Sequence, residues 1–220
     1  MWVTQLNGHT NLKMKITSHN NPWDHIIVED FLSVDKFAEI KKIAMTEYKK
    51  YLRDGSNQNS RGACTKYFTE DIIPETNQFF KILPKHRGFK GNLKKLIHLT
   101  ISPPNLKLPL HIDNVSRINT CILYIFPDKS KGTILADNPS CNDDGDHINA
   151  DKKSHYEIEV PWKPNTLFVH NSIPNKTWHT YTGDHYRIIL CLFLVQPDLV
   201  LHGDGRIPKT LIDIDSKYYE

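Results

Sequence analysis

The sequence is short of cysteine, of long apolar runs and of any surplus of one charge, and each shortage closes off a class of protein. Its four cysteines, Cys64, Cys121, Cys141 and Cys191, stand far apart with no Cys-x-x-Cys pair, a spacing that suits neither structural zinc nor a disulfide scaffold. Cys121 and Cys191 lie inside apolar runs, where a thiol serves as a small hydrophobe. The longest apolar run, Ile188 to Val195, is eight residues. That suits a buried strand and falls far below the roughly 18 needed to cross a bilayer. Met1 to Ile16 is polar and lacks the basic, apolar, small-residue order of a secretory signal, so a cytoplasmic location is the expectation. Net charge is +3, from 28 basic against 25 acidic side chains, too even to argue for nucleic acid as a partner; a membrane is not expected either. No internal repeat is present.

What remains is a foldable chain. Its 220 residues, 39% hydrophobic and 24% charged, fit one domain with decorations. His25 to Leu32 is β-prone, Ser33 offers an N-cap, and Phe37, Ile40, Ile43 and Ala44 recur at helical spacing through Val34 to Leu52. Arg53 to Arg61 reads as a loop, and Asn77 to Leu83 as a second short helix stopped by Pro84. From Leu93 the pattern changes to short apolar runs between turn formers: Lys95–Ser102, Leu108–Ile112, Ile118–Phe126, His155–Val160, Thr166–His170, Thr177–Tyr181 and Tyr186–Val195. Strands at this spacing predict a mainly β sandwich or barrel. Ala136 to Ser154 is long and polar and reads as a lid or a disordered insertion; its acidic cluster lacks the terminal glutamate of an EF-hand. The expected organisation is a single domain over 1–220, with a strand-helix support over about 24–90, a barrel over about 93–196 and a C-terminal extension over 197–220.

Twelve histidines direct attention to metal ligation. His111-Ile112-Asp113 ends a predicted strand, where residues two apart project to one face and can hold one ion. A second His-x-Asp, His202-Gly203-Asp204, sits among turn formers with no histidine after it. His111 has strands on both sides and a further histidine, His179, downstream. Two histidines and one carboxylate leave three adjacent positions of an octahedral ion open, the arrangement of non-haem Fe(II) centres that activate dioxygen. Oxidising a C–H bond this way needs two further electrons, which a chelating 2-oxo acid can supply. If that acid is 2-oxoglutarate, its far carboxylate needs a buried cation, best the planar fork of arginine. Arg187 opens the most apolar strand of the chain, where an unpaired charge would be costly.

The pattern His111-x-Asp113, then Arg117-Ile-Asn-Thr-Cys-Ile-Leu-Tyr124, then Trp178-His179 and Arg187 resembles the 2-oxoglutarate and Fe(II)-dependent dioxygenases, most closely their prolyl-hydroxylase branch. The likeness covers roughly residues 95 to 195. It implies a double-stranded β-helix, a jelly-roll barrel with cupin-like form, and N-terminal helices packed outside. It implies Fe(II) on His111, Asp113 and His179, with 2-oxoglutarate and O2 as cosubstrates. It also implies that Arg187 and Tyr124 hold the far carboxylate. Thr120 shares the face of Ile122 and Tyr124 and is expected to line the same pocket. His170 competes with His179 as third ligand, but the loop that follows it places it far from the hairpin carrying Arg187. His185 would share a face with Arg187, and His98 is expected on a strand face outside the ligand set. Trp178 reads as packing.

The chain departs from the branch in having one glycine, Gly132, where a Gly-Gly pair is usual, Ile101 where a second tyrosine is common, and Asn165 at a turn that often holds glycine. The implied activity is hydroxylation of an unactivated C–H bond, on a peptidyl prolyl residue in the first instance, coupled to decarboxylation of 2-oxoglutarate to succinate and CO2. Retention of Asp113 disfavours halogenation. The absence of a second arginine in Ile188 to Gln196 disfavours demethylation of alkylated bases. A hydroxylase of a free amino acid or other small molecule is the alternative within the class; a non-enzymatic jelly-roll binding module is the alternative outside it.

Overall fold

In a computed structural model of the chain, the structure describes residues 14–54, 63–80, 92–113, 116–137, 148–149, 157–173, 176–197, 211–215 and 217. The strands are β1 (Lys15–His19), β2 (His25–Glu29), β3 (Ala63–Tyr67), β4 (Lys94–Ser102), β5 (Lys107–His111), β6 (Arg117–Phe126), β7 (Ile134–Ala136), β8 (Ile148–Asn149), β9 (Glu157–Glu159), β10 (Leu167–Asn171), β11 (Trp178–Thr182), β12 (Arg187–Val195) and β13 (Ile212–Asp213). One α-helix, α1 (Val34–Arg53), follows β2, and a 3-10 helix covers Pro74–Phe80. Among the described residues the strands form a larger sheet, β1-β2-β10-β6-β12-β4-β13 with β3 also on β4, and a smaller one, β8-β5-β11-β7-β9. All pairings are antiparallel. Two facing antiparallel sheets of this connectivity make the expected jelly-roll.

Burial on both faces explains why β12 is continuously apolar. Its even residues Ile188, Leu190, Leu192 and Leu194 join a cluster with Ile40, Ala44 and Tyr51 of α1 and Phe79 and Phe80 of the 3-10 helix. Its odd residues Ile189, Cys191, Phe193 and Val195 face the interior between the sheets, with Ile122, Tyr124, Phe168 and Leu135. Helix α1 begins as its sequence dictates: Ser33 is extended and its Oγ accepts from the Lys36 N–H at 3.2 Å. Asp35 in the first turn and Lys50 and Arg53 in the last complement the helix dipole.

Two polar devices tie the outer layer to the barrel. Lys95 is fully buried, and its ammonium donates among Asp71 Oδ1 (2.7 Å), Thr76 Oγ1 (2.6 Å), Asn77 Oδ1 (2.8 Å) and the Ile73 carbonyl (3.0 Å), fastening the 3-10 helix to β4. Asn165, with φ of 64°, uses its carboxamide as a backbone surrogate. Oδ1 accepts from the Leu32 N–H at 2.9 Å and Nδ2 donates to the Leu32 carbonyl at 2.8 Å. Its own N–H donates to the Tyr124 carbonyl at 2.9 Å. An asparagine thus replaces glycine at this turn because its side chain does work that glycine could not.

Several expectations need correcting. The second helix is a 3-10 helix opening at Pro74 and ending at Phe80; residues 81–83 lie outside the described ones. Segment 136–154 is not wholly a loop, since Ile148 and Asn149 pair with His111 and Leu110; 138–147 and 150–154 are outside the described residues, as are most of 53–61 and the pair His202 and Asp204. The extension after 197 contributes β13, which pairs with Lys94 and Lys95. Strands β1, β3, β7 and β13 went unforeseen because each is short, and β1 and β13 lie at the sheet's margins, where pairing rather than composition makes the strand. Among the described residues no helix is long and apolar enough to cross a membrane.

Candidate active site

Register brings the two distant histidines together. In the β5–β11 pair, His111 stands directly opposite His179, and their rings lie 4.3 Å apart. Strand β5 ends at His111, so Asp113 stands two residues beyond the strand. One donor atom each from His111, Asp113 and His179 lie within 4.8 Å of one another. Both imidazoles are locked in the same tautomer, because Nδ1 of His111 donates to the Pro109 carbonyl at 2.8 Å and Nδ1 of His179 to the Thr177 carbonyl at 3.0 Å. Nε2 is thereby left as a lone pair. Burial holds both imidazoles neutral, pushing His111 down to about 4 and lowering His179 as well. Neutral imidazole and ionised carboxylate are the forms that bind metal. This donor set fits a divalent iron, and second contacts of this kind orient metal ligands.

Asp113 is enclosed by partners. Arg117 Nη1 donates to Oδ1 at 2.6 Å, Thr120 Oγ1 to Oδ2 at 2.6 Å, and Ser172 Oγ stands 3.5 Å from Oδ2. Burial by itself would raise the carboxyl, but the Arg117 guanidinium together with the surrounding His179, His170 and His111 outweighs it and holds Asp113 far below the usual carboxylate range. Arg117 is fixed in turn by stacking on Phe193 at 3.9 Å. Thr120 was expected to line the cosubstrate pocket; it faces the interior, but the structure commits its hydroxyl to Asp113.

Along the same inner face of the larger sheet lies the second part of the site. Arg187 is 3% exposed, and no carboxylate of the described residues comes within 4.0 Å of it. Its Nη2 donates to Thr133 Oγ1 at 3.0 Å, while Nε has no partner among the described residues. Tyr181 lies under the guanidinium at 4.0 Å, with Tyr124 and Trp162 each at 5.4 Å. The Tyr124 hydroxyl donates to Thr133 Oγ1 and accepts from the Thr133 N–H, both at 3.1 Å. Thr133 therefore links the two residues expected to hold an anion, a role that sequence reading missed. Gly132 before it passes so close to the Val160 carbonyl that a Cβ would overlap it, which explains the single glycine there. Ile101, the residue at the missing tyrosine's place, packs on the outer face. The pairing of β4 with β12 instead sets Ser102 opposite Arg187 and Thr100 opposite Ile189, so hydroxyls line this end from positions one removed.

Three other histidines need placing. His170 is not remote from the site. It is fully buried, its Nε2 lies 3.8 Å from Asp113 Oδ2, and its ring is 5.3 Å from that of His179. Strand β10 pairs with β6 so that His170 faces Thr120, and this cross-strand neighbour, invisible in sequence order, is what carries it there. His98 lies outside the three-residue cluster, though on the inner face opposite Cys191, and burial pushes it down to about 3. His185 is at the surface beside Asp184. Trp178 packs with Leu110, Ile112 and Ala136. Cys121 and Cys191 are buried free thiols, each pushed up to about 12 by burial.

No family model matches the chain, and no curated protein matches it in sequence. Its fold is nonetheless shared with solved structures. A prolyl hydroxylase from Trichoplax adhaerens, in complex with a hypoxia inducible factor oxygen degradation domain peptide fragment, aligns over 82% of this chain and 87% of that one, with TM-score 0.52 and 12% identity. A prolyl-4-hydroxylase from Pseudomonas putida aligns over 78% and 92%, with TM-score 0.50 and 14% identity. AviO1 from Streptomyces viridochromogenes Tue57 aligns over 79% and 90%, with TM-score 0.50 and 13% identity. At such identities the likeness establishes the jelly-roll architecture of prolyl hydroxylases.

Proposed function

We propose that this chain is an Fe(II)- and 2-oxoglutarate-dependent dioxygenase that hydroxylates an unactivated C–H bond, with a peptidyl prolyl residue as the substrate group. One observation carries the reading. A buried guanidinium that meets no carboxylate within 4.0 Å among the described residues shares the barrel interior with a buried His-Asp-His cluster, a combination that suits a small dianion. A 2-oxo diacid meets that description.

His111, Asp113 and His179 would hold the metal through Nε2, carboxylate and Nε2. Arg187, braced by Thr133 and stacked on Tyr181, supplies the charge for the far carboxylate, and the Tyr124 hydroxyl beside it would turn its proton from Thr133 Oγ1 to that carboxylate. Arg117 and Thr120 keep the Asp113 carboxylate ionised and oriented. Ile122, Ile189 and Phe168 keep water from the interior, which strengthens every charge interaction there. When bound, iron with the 2-oxo acid supplies the oxidising power: dioxygen and 2-oxoglutarate are consumed, succinate and CO2 released, and one C–H bond gains a hydroxyl. The prolyl substrate is supported by the shared fold with a prolyl hydroxylase bound to a peptide fragment.

The test is anaerobic addition of Fe(II) and 2-oxoglutarate, which should give the weak visible charge-transfer band of the chelate, followed by succinate release in air. His179→Ala should abolish the band. Wild-type protein that gives no band rejects the function; succinate release with a proline peptide gaining one oxygen by mass spectrometry supports the substrate.

A further inference from the structure

His170 poses a problem that the three-residue centre does not solve. Its Nδ1 donates to the Asn171 carbonyl at 2.9 Å, which leaves the Nε2 lone pair as the one acceptor the ring can offer. That lone pair is buried and meets no donor among the described residues. A buried acceptor left without a donor bears the full cost of its lost hydration. The polar atom it faces, Asp113 Oδ2 at 3.8 Å, is another acceptor. The nearby Thr120 hydroxyl is already given to that same oxygen. The ring cannot readily turn away, since Phe168 stacks on it at 5.2 Å, Trp23 closes on it at 5.1 Å and His179 at 5.3 Å.

Two acceptors held face to face need a donor or a cation beside them. A fourth protein ligand does not fit, because His170 stands outside the cluster of mutually close donor atoms. It would also leave two open positions on an octahedral ion where a chelating cosubstrate and dioxygen need three.

We propose that His170 is a positioning residue of the metal centre, its Nε2 accepting a hydrogen bond from a donor that the ion carries beside Asp113, such as a coordinated water. This rests on the metal reading given above. His170 then acts through that donor on Asp113, holding the carboxylate in one pose against the ion. The bond to the Asn171 carbonyl orients the ring so that Nε2, not Nδ1, faces the carboxylate.

The test is titration of the metal-free protein with Co(II), followed by its visible d–d absorption, with no cosubstrate present. His170→Phe keeps an aromatic ring and removes the acceptor; His170→Gln restores an acceptor near the position of Nε2. Loss of such a partner typically weakens metal binding by about 10- to 100-fold. The expected result is a loss in that range and an altered d–d spectrum for His170→Phe, with most of both recovered in His170→Gln. Where His170→Phe fails to fold, His170→Leu takes its place with the same expectation. Binding within twofold of wild type in the apolar variant, or equal loss in the apolar and Gln variants, would overturn the proposal and make His170 a packing residue. Failure of wild-type protein to bind Co(II), or undiminished binding by His111→Ala, would instead bring down the metal centre itself, and the role of His170 with it.

Discussion

At the scale of single residues, the site is organised by charge placed where water cannot reach. Arg187 is the clearest case, because a buried guanidinium that meets no carboxylate among the described residues costs the fold more than it returns. Replacing it should therefore cost function without costing the fold. Arg187→Gln is expected to leave the thermal midpoint of the protein unchanged or higher. It should weaken 2-oxoglutarate binding by about 100-fold or more, since bonds to a charged group contribute about 1.5–3 kcal/mol each. Calorimetric titration of 2-oxoglutarate into Mn(II)-loaded protein measures this, and the metal's own affinity should stay as in wild type. Undiminished binding of the acid would remove Arg187 from the anion pocket. Thr133 belongs to the same unit, since one hydroxyl engages both Arg187 and Tyr124. Nothing in its sequence neighbourhood marks it, beyond the glycine that precedes it.

At the scale of elements, register does most of the work. The antiparallel pairing of β5 with β11 sets His111 against His179, and the pairing of β10 with β6 sets His170 against Thr120. A one-residue slip in either would turn these side chains to the opposite face. The turn before β10 protects that register, because Asn165 joins Leu32 at the entrance to α1 and Tyr124 on β6. Asn165→Gly keeps the left-handed backbone and deletes two side-chain bonds, so it should destabilise by about 1–2 kcal/mol. Asn165→Ala adds strain at φ of 64° and should cost about 1 kcal/mol more. Urea unfolding orders the three proteins, and equal midpoints would show that the turn is held by backbone bonds alone.

For the molecule as a whole, the barrel interior stores neutral histidines. Burial lowers His25, His98, His111, His170 and His179, with His98 at about 3 and His111 at about 4 against an ordinary value of 6.5. In the unfolded chain these imidazoles protonate below about 6.5 while the folded protein resists. Their contribution is thus complete above that value and is lost as pH falls toward 4. Each group can remove at most about 1.4 kcal/mol per pH unit in that window. The metal-free protein should accordingly show urea midpoints that fall steadily from pH 7 to pH 4, with proton uptake on unfolding. A flat profile would mean that the imidazoles gain protons inside the folded barrel.

The sequence by itself determined the class of fold and the chemistry on offer. Alternating short apolar runs can be satisfied only by facing sheets, and the residue types His111, Asp113, His179 and Arg187 carry their ligand and charge properties wherever they stand. Helix α1 was legible too, because a cap and a stripe are local signals. What tertiary structure decided is who meets whom across strands distant in the chain. Thr120 went to Asp113 rather than to the anion pocket, Thr133 joined Arg187 to Tyr124, and His170 moved from bystander to neighbour of the carboxylate. Strand pairing sets those meetings, and pairing depends on the burial of a whole face at once, a quantity that no short stretch of residues contains.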